Sequence, residues 1–159
     1  MTDGPYKLPE GWRWVRLGEV AYKPQYGYTQ SASIEIVGPK FLRISDITSG
    51  EINWEKVPYC RCGNGTFQKY KLNVGDILFA RSGSIGAVIL IEDLPQDAVF
   101  ASYLIRVKLR EAEVFPAFAE LLFKSPVCQR QLLPQGAAQK NINAKRLPFL
   151  WKAFCIFYP

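Results

Sequence analysis

The sequence predicts an α+β domain in which helices pack against a mixed, mainly antiparallel sheet. The chain has 159 residues, enough for a single domain with a sizeable core. Hydrophobic residues make up 48% and aromatic residues 14%, the composition of a folded protein. Short apolar runs separated by turn residues fill the first part of the chain, and helical periodicity begins at Pro116. Strands followed by helices are typical of the α+β class.

The charge favours a polyanionic partner without identifying one. The net charge is +6 and the pI is near 9.2, but Lys and Arg are scattered rather than gathered in a block. A basic, aromatic-rich domain points to nucleic acid, and ordinary solubility charge is the alternative. No apolar run reaches the roughly 18 residues of a membrane span, and the N-terminus has no signal-like apolar core. We therefore expect a cytoplasmic location and no membrane contact.

The cysteine spacing argues against a metal site. Cys60 and Cys62 form a C-x-C pair, Cys128 and Cys155 are isolated, and the chain has no histidine. Structural zinc sites favour C-x-x-C pairs and often include histidine. We expect reduced thiols, with a four-cysteine metal site as the remaining alternative.

Turn residues and apolar runs define the first elements. Residues 1–11, rich in Gly and Pro, predict a flexible lead-in. A short strand-to-helix passage follows, with its helical turn at Leu17–Ala21. Residues 22–38 predict a long polar loop, of the kind that often carries function. Alternation over Phe41–Ile47 predicts a half-buried strand, and Ile52–Val57 a short second strand.

A second series of elements precedes the helices. Residues 60–71 predict another polar loop, because a Gly-Asn-Gly turn is followed by several cationic and amide side chains. Residues 74–80 and 86–91 predict a pair of strands. Residues 98–109 predict one long strand with alternating faces.

The remaining elements are helical. Residues 116–123 and 125–133 predict two helices, the second with Ser125 as N-cap and Pro126 at the first helical position. An irregular polar segment and an apolar tail follow. The aromatic residues expected in the core are Trp12, Trp14, Phe41, Phe79, Phe100 and Tyr103.

The stretch Leu72–Gly86 joins a buried strand to a loop of small polar residues that begins with Arg81. Such a loop can present backbone N–H groups and hydroxyls to phosphate. A tight turn between two core strands is the alternative, since the apolar pattern resumes directly afterwards.

Motifs of catalysis are missing from the sequence. Without histidine there is no Ser-His-Asp or Cys-His pair, and no P-loop, acidic-x-Lys triplet or Asn/Asp-Pro-Pro-aromatic motif is present. Asp46 and Asp76 could act as bases, but each stands where a turn favours aspartate. A binding module is therefore favoured over a catalyst.

Five blocks of sequence occur in an order that is typical of a known family. The blocks are LPEGWRWVRLGEVA (8–21), FLRISDITSGEI (41–52), LNVGDILFARSGSIG (72–86), ASYLIRVKL (101–109) and QGAAQKNINAKRL (135–147). GDILFARSGSIG is the most specific part. Together the blocks resemble one target recognition domain of the specificity subunit of Type I restriction-modification systems, over about residues 8–150.

The resemblance implies a non-catalytic role in sequence-specific binding of double-stranded DNA. A full specificity subunit in this family has two such domains, each followed by a long helix, and each domain reads one half of a split target. It docks methyltransferase subunits, and the complex recruits restriction nuclease subunits. S-adenosylmethionine, ATP and Mg belong to those partners, so this chain is expected to bind no cofactor.

The end of the chain departs from the family pattern. Where the long spacer helix usually follows, residues 149–159 form an apolar tail without heptads. We expect residues 12–148 to form the recognition domain and the chain to stop before the spacer helix. The tail could then pack on the domain or on a second copy in a homodimer. The alternative function is a degenerate half-subunit that acts as a protein-interaction or decoy fragment.

Two groups of residues are hypothesised to contact DNA. The loop after the buried strand and the 139–146 segment would hold the DNA backbone, or would interlock as scaffold. The two polar loops would read bases, or would simply be solvated. The expected backbone contacts are Arg81, Ser82, Ser84, Lys140, Asn141 and Arg146. The expected base contacts are Lys23, Gln25, Tyr28, Gln30, Arg61, Gln68, Lys69 and Lys71, with Tyr26 beside them.

Overall fold

The computed structural model describes residues 7–110, 114–132, 141–142, 144–145, 147 and 151–152. A short 3₁₀ turn lies at Ile44–Asp46. In chain order the helices and strands are β1 (Val15–Arg16), α1 (Leu17–Val20), β2 (Gln25–Tyr26), β3 (Lys40–Leu42), α2 (Asn64–Tyr70), β4 (Ile77–Ala80), β5 (Val88–Leu90), β6 (Ala98–Phe100), β7 (Leu104–Val107), α3 (Pro116–Lys124), α4 (Pro126–Leu132) and β8 (Trp151–Lys152).

An antiparallel sheet of four strands, in the order β2-β7-β4-β5, forms the centre of the fold. In β4, Leu78 lies opposite Ile89 on one side and Arg106 on the other. Strands β3 and β6 form a separate parallel pair, and β1 pairs with β8 in antiparallel fashion. The predicted α+β fold with a mixed, mainly antiparallel sheet is thereby confirmed.

Both faces of the central sheet are buried, which explains the unbroken apolar run of β4. Ile77 and Phe79 point into a cluster shared with α1, α3 and α4, while Leu78 and Ala80 point into a second cluster on the opposite face. Successive side chains of a strand alternate between faces, so a strand covered on both sides needs apolar residues throughout. The ring of Phe79 packs edge-on against Phe123 of α3, with centroids 4.8 Å apart.

Helices α3 and α4 confirm the two predicted helices. The N–H of Cys128 donates to Oγ of Ser125 at 3.4 Å, so Ser125 is the N-cap. Helix α3 covers the edge strand β5, where the N–H of Leu90 donates to Oε1 of Glu120 at 3.0 Å. Helix α3 therefore also satisfies a backbone N–H of the edge strand β5.

Two predicted strands in the first half are wrong. Strand β3 is Lys40–Leu42, so only Phe41 and Leu42 of the expected Phe41–Ile47 strand lie in a strand, and β3 is fully buried rather than half-buried. The N–H of Arg43 donates to Oδ2 of Asp46 at 2.8 Å, which turns the chain into the 3₁₀ segment. Residues 52–57 contain a turn rather than a strand, although Trp54 and Val57 are buried.

The single long strand predicted for residues 98–109 is also wrong. The chain bends between β6 and β7, where the N–H of Leu104 donates to the carbonyl of Ala101 at 2.9 Å. Tyr103 is 60% exposed at this bend, and Trp12 is 37% exposed, so neither belongs to the core as expected. The other four predicted core aromatics are buried.

Helix α2 replaces the polar loop predicted for residues 60–71. Asn64 and the glycines beside it have low helix propensity, so the sequence resembles a turn. Tertiary packing overrides that preference, because Phe67 and Tyr70 are half-buried against a small apolar cluster that includes Cys60. As a result, the polar side chains Gln68 and Lys69 are exposed on a regular helix rather than on an irregular loop.

Other expectations agree with the structure. The strand-to-helix passage is β1 followed by α1, and the strand pair expected at 74–80 and 86–91 is β4 paired with β5. Residues 22–38 are irregular apart from β2. The expectations for residues 1–6 and for most of the 149–159 tail lie outside the described residues. None of the helices in the described ranges has the length and apolar character needed to cross a bilayer.

Candidate nucleic-acid interface

Several residues predicted to contact bases meet beside helix α2. Gln68 and Lys69 are exposed on the helix, and Arg61 is exposed just before it. Nε2 of Gln30 donates to the carbonyl of Arg61 at 3.4 Å, which joins the two polar regions singled out in the sequence. We call Tyr28, Gln30, Arg61, Gln68 and Lys69 the α2 surface.

Aromatic stacking fixes the centre of the α2 surface. The ring of Tyr28 stacks on Tyr70, with centroids 5.5 Å apart and planes 25° from parallel. Oη of Tyr28 accepts a hydrogen bond from Nε2 of Gln30 at 3.2 Å. The ammonium of Lys69 lies 5.1 Å from the centroid of the Tyr70 ring. Amide, phenol and ammonium groups are thus held together, and groups of these kinds can offer donors and acceptors to base edges.

The other predicted base contacts occupy different positions. The amide of Gln25 is already engaged, since Nε2 donates to the carbonyl of Lys69 at 3.2 Å and Oε1 accepts from Arg106. Lys71 is half-buried at the end of α2, and Lys23 is exposed before β2. Gln25 was expected to contact bases, but in the structure its side chain connects β2 to α2.

A buried ion pair lies beneath α2. Nη1 of Arg106, on β7, is 3.3 Å from Oδ2 of Asp76, and both side chains are almost completely buried. Burial raises the pKa of the Asp76 carboxyl, against the opposing effects of the Asn73 N–H and the charges of Arg106 and Lys108. The N–H of Asn73 donates to Oδ2 of Asp76 at 3.0 Å, in agreement with the expected turn.

The pattern of the sequence predicts no role for Arg106. Arg106 is a charged residue between the apolar residues Ile105 and Val107. In an alternating strand such a residue normally faces solvent, so the pattern does not indicate a buried role. Its acceptors come from β2, from the end of α2 and from the turn before β4. Those partners are distant in sequence, so the pattern around Arg106 could not reveal them.

The Arg81–Gly86 loop interlocks with the segment that follows α4. The N–H of Ile142 donates to the carbonyl of Arg81 at 2.8 Å, and the N–H of Ala144 donates to Oη of Tyr26 at 2.9 Å. The guanidinium of Arg81 lies 4.8 Å from the centroid of the Tyr26 ring. These contacts correspond to the scaffold alternative raised for the two segments.

The remaining predicted backbone contacts differ in exposure. Ser84 and Asn141 are exposed and Ser82 is half-buried. Nε of Arg81 is buried and has no hydrogen-bond partner within the described part of the chain. Lys140 and Arg146 lie outside the described residues.

A cleft of about 360 Å³ opens next to the α2 surface. Tyr28, Gln30 and Tyr103 of the β6–β7 bend are among the residues that line it. Arg43 also lines it, with its guanidinium held by both carboxylate oxygens of Asp46 at 3.0 and 2.9 Å. The hydrogen bond to Asp46 raises the pKa of Arg43. The sequence did not indicate Tyr103 or Arg43 as surface candidates, because each was assigned to a strand.

Within the described ranges, no group of three His, Cys, Asp or Glu side chains is arranged to hold a metal ion. The polar side chains around α2 are amides, phenols and cations, which suit hydrogen bonding to an anionic ligand.

The model of the Type I restriction modification DNA specificity domain family matches residues 9–148. The chain belongs to this family. Membership confirms the expectation of a non-catalytic chain concerned with DNA specificity, and it agrees with the resemblance carried by the five sequence blocks.

Curated specificity subunits are similar to this specificity domain. It is 29% identical over 117 residues to the Type I restriction enzyme EcoKI specificity subunit of Escherichia coli K12, covering 69% of this chain and 25% of the relative. It is 34% identical over 101 residues to the EcoAI specificity subunit of Escherichia coli, covering 58% and 17% respectively. The specificity domain thus spans about a quarter or less of the length of these two relatives.

Solved structures share the fold of this specificity domain. The HsdS subunit from Thermoanaerobacter tengcongensis superposes with a TM-score of 0.71 at 18% identity, covering 98% of this chain and 36% of that one. A Type I restriction-modification S subunit from M. genitalium gives a TM-score of 0.55 at 18% identity, covering 94% and 36%. At these identities the likeness concerns the fold.

Proposed function

We propose that this chain binds double-stranded DNA sequence-specifically and reads one half of a bipartite target, as part of a Type I restriction-modification complex. The family match over residues 9–148 carries the proposal. The net charge of +6 suits a DNA ligand. The comparisons give no support to the protein-interaction or decoy alternative.

Base reading is assigned to the α2 surface. Gln30 and Gln68 carry amides that can pair with adenine edges, and Arg61 and Lys69 can reach guanine or phosphate. All four side chains are exposed, and the stacked Tyr28 and Tyr70 rings contact Gln30 and Lys69 among them. Lys23 and Lys71 would add cationic contacts at the border of the surface.

Backbone contact is assigned to the Arg81–Gly86 loop and the neighbouring segment. Exposed Ser84 and Asn141 can donate to phosphate oxygens, and Arg81 can do so through its guanidinium or can position the loop. Ser82, Lys140 and Arg146 complete the proposed set. Such contacts fix the register of the protein on DNA but carry no sequence information.

Methyltransferase subunits are the proposed protein partners, with restriction nuclease subunits joining indirectly. The relatives are named as specificity subunits of restriction enzymes, and this chain spans a minor part of their length. S-adenosylmethionine, ATP and Mg would then be bound by those partners rather than by this chain. Self-association through the apolar tail is a further proposed contact.

Selection of bound sites from random double-stranded DNA tests the proposal. The wild-type chain should enrich a short motif, and Gln30→Ala should relax the preference at one position, a loss of about 1–3 kcal/mol for that base pair. Gln131→Ala on α4 is the matched control, because it removes a glutamine amide away from the α2 surface.

The result separates the functions. Enrichment of one motif by wild type and Gln131→Ala, weakened by Gln30→Ala, supports base reading at the α2 surface. The same motif from all three proteins would remove Gln30 as a base contact. Failure to enrich any motif, with or without methyltransferase subunits, would contradict DNA recognition and favour the interaction-fragment alternative.

A further inference from the structure

We infer that Arg106 is a positioning residue, which holds helix α2 in the orientation that lets the α2 surface discriminate between DNA sequences. The inference rests on the proposed function for its DNA consequence, but the anchoring of α2 by Arg106 is independent of that function. Arg106 is 6% exposed, so it acts through its neighbours rather than on DNA.

The guanidinium of Arg106 connects three parts of the fold. Nη1 donates to the carbonyl of Lys71 at 2.5 Å and to Oδ2 of Asp76 at 3.3 Å. Nη2 donates to the carbonyl of Lys69 at 3.3 Å and to Oε1 of Gln25. The last turn of α2, strand β2 and the turn before β4 are thus joined by one side chain.

An arginine suits this position because of its geometry and its charge. The last carbonyls of a helix have no partner within the helix, and the C-terminal end of the helix dipole attracts a cation. A guanidinium has several N–H donors in a rigid plane, whereas a lysine ammonium is a compact point charge on a flexible stem. Lysine at position 106 could not reproduce the same four bonds.

Helix α2 depends on such an anchor. It has seven residues and contains Asn64 and Gly65, so its intrinsic tendency to form is low. Its apolar contacts come from the half-buried Phe67 and Tyr70. The orientation of so short a helix therefore depends on these apolar contacts together with the bonds at its C-terminal end.

The residues bonded to Arg106 are next to the side chains of the α2 surface. Lys69, whose carbonyl accepts from Arg106, presents its ammonium on that surface. Tyr70 follows in the same turn and stacks on Tyr28, which in turn bonds to Gln30. Recognition groups need to be held within about 0.5 Å of their working positions by well-packed neighbours. Loss of the Arg106 bonds should therefore reduce the difference in affinity between DNA sequences.

The decisive variant is the double substitution Arg106→Met with Asp76→Asn in the full 159-residue chain. It removes the buried pair without leaving a single buried charge, a change that folded proteins often tolerate. It also ends the contact of 3.7 Å between Nζ of the partly exposed Lys108 and Oδ1 of Asp76. The matched control is Lys124→Met with Glu120→Gln on α3, which removes an ion pair and likewise leaves the net charge unchanged. Arg106→Lys tests whether charge alone is sufficient.

Three readouts are made below each protein's unfolding temperature. These are the ratio of specific to non-specific DNA affinity, the salt dependence of non-specific binding, and amide exchange of residues 64–71. The double variant should lower the affinity ratio about tenfold, comparable to a mismatched base pair, and leave the salt dependence unchanged. Exchange should accelerate at 64–71, Arg106→Lys should behave similarly, and the α3 control should match wild type.

The outcomes are distinguishable. A folded double variant with wild-type discrimination would overturn the inference, as would unchanged exchange at residues 64–71. Loss of discrimination with the same salt dependence supports it. If wild type itself shows no DNA preference, the proposed function fails, and the exchange data alone decide whether Arg106 anchors α2.

Discussion

Gly27 has no room for a side chain. A Cβ added there would lie 2.2 Å from the carbonyl oxygen of Ala101 and 2.3 Å from that of Phe100. Both are backbone atoms of the β6–β7 bend, so they cannot rotate away. The N–H of Tyr28, the next residue, donates to the carbonyl of Phe100 at 2.8 Å, and Tyr28 itself belongs to the α2 surface. Glycine is needed because two backbones approach each other closely at this point.

Gly27→Ala should lower the free energy of unfolding by about 1–3 kcal/mol, because the extra methyl displaces backbone in a packed region. Urea denaturation followed by tryptophan fluorescence measures the change. Gly65→Ala is the control: its Cβ would meet nothing within 4 Å, and it lies inside α2. That control should gain about 0.5–1 kcal/mol from helix propensity. A Gly27→Ala protein as stable as wild type would show that the bend adjusts freely.

Single residues could be predicted where their role follows from local pattern. Phe79 and Phe100 lie in apolar runs, and both are buried as expected. Tyr103 is exposed rather than in the core because a bend interrupts the expected strand. The role of Arg106 could not be predicted because its partners are remote in sequence. Alternation predicts which face a residue occupies only while the strand continues.

The loop between β4 and β5 is held by helix α4. Nε2 of Gln129 donates to the carbonyl of Gly86 at 2.9 Å and to that of Phe123 at 2.8 Å. Gly86 has a φ of 94°, which favours glycine, and an added Cβ would lie 2.4 Å from Oε1 of Gln129. One glutamine thus fixes both the end of α3 and the loop proposed to approach the DNA backbone.

Gln129→Met should reduce the free energy of unfolding by about 1–3 kcal/mol, since two carbonyls lose their donor while the side-chain length is kept. Amide exchange of residues 82–87 should accelerate in parallel. Gln131→Met is the control, because Nε2 of Gln131 donates within its own helix to Val127 at 3.3 Å. We expect the control to change stability by less than about 0.5 kcal/mol. Equal losses for the two variants would rule out a specific role of Gln129 in the loop.

Elements with strong signals could be predicted from the sequence, and weakly encoded ones could not. The Ser-Pro start of α4 and the apolar run of β4 are local signals, and both elements are present. Helix α2 was missed because Gly-Asn-Gly indicates a turn, whereas packing by Phe67 and Tyr70 decides the conformation. The base-reading candidates stay a prediction drawn from two separate stretches of sequence, and their grouping around α2 needed the fold.

For the whole molecule, the scattered positive charge predicts salt-sensitive DNA binding. If Lys69 contacts phosphate, Lys69→Ala should reduce the slope of log affinity against log salt concentration by about 1. Lys124→Ala is the control, because its ammonium is paired with Glu120 at 2.8 Å on α3. Filter binding over a range of salt concentrations measures both slopes. An unchanged slope for Lys69→Ala would exclude phosphate contact by that side chain.

The contacts of Arg106 also have a consequence for folding. Its partners Gln25, Lys71 and Asp76 are 81, 35 and 30 residues away along the chain. Bonds between such distant residues form only after long loops have closed, so they are expected late in folding. Under the proposed function, a nascent chain would therefore acquire a preference for one DNA sequence only when β7 has joined the sheet. Partly folded forms would attract DNA by charge alone, without selecting a site.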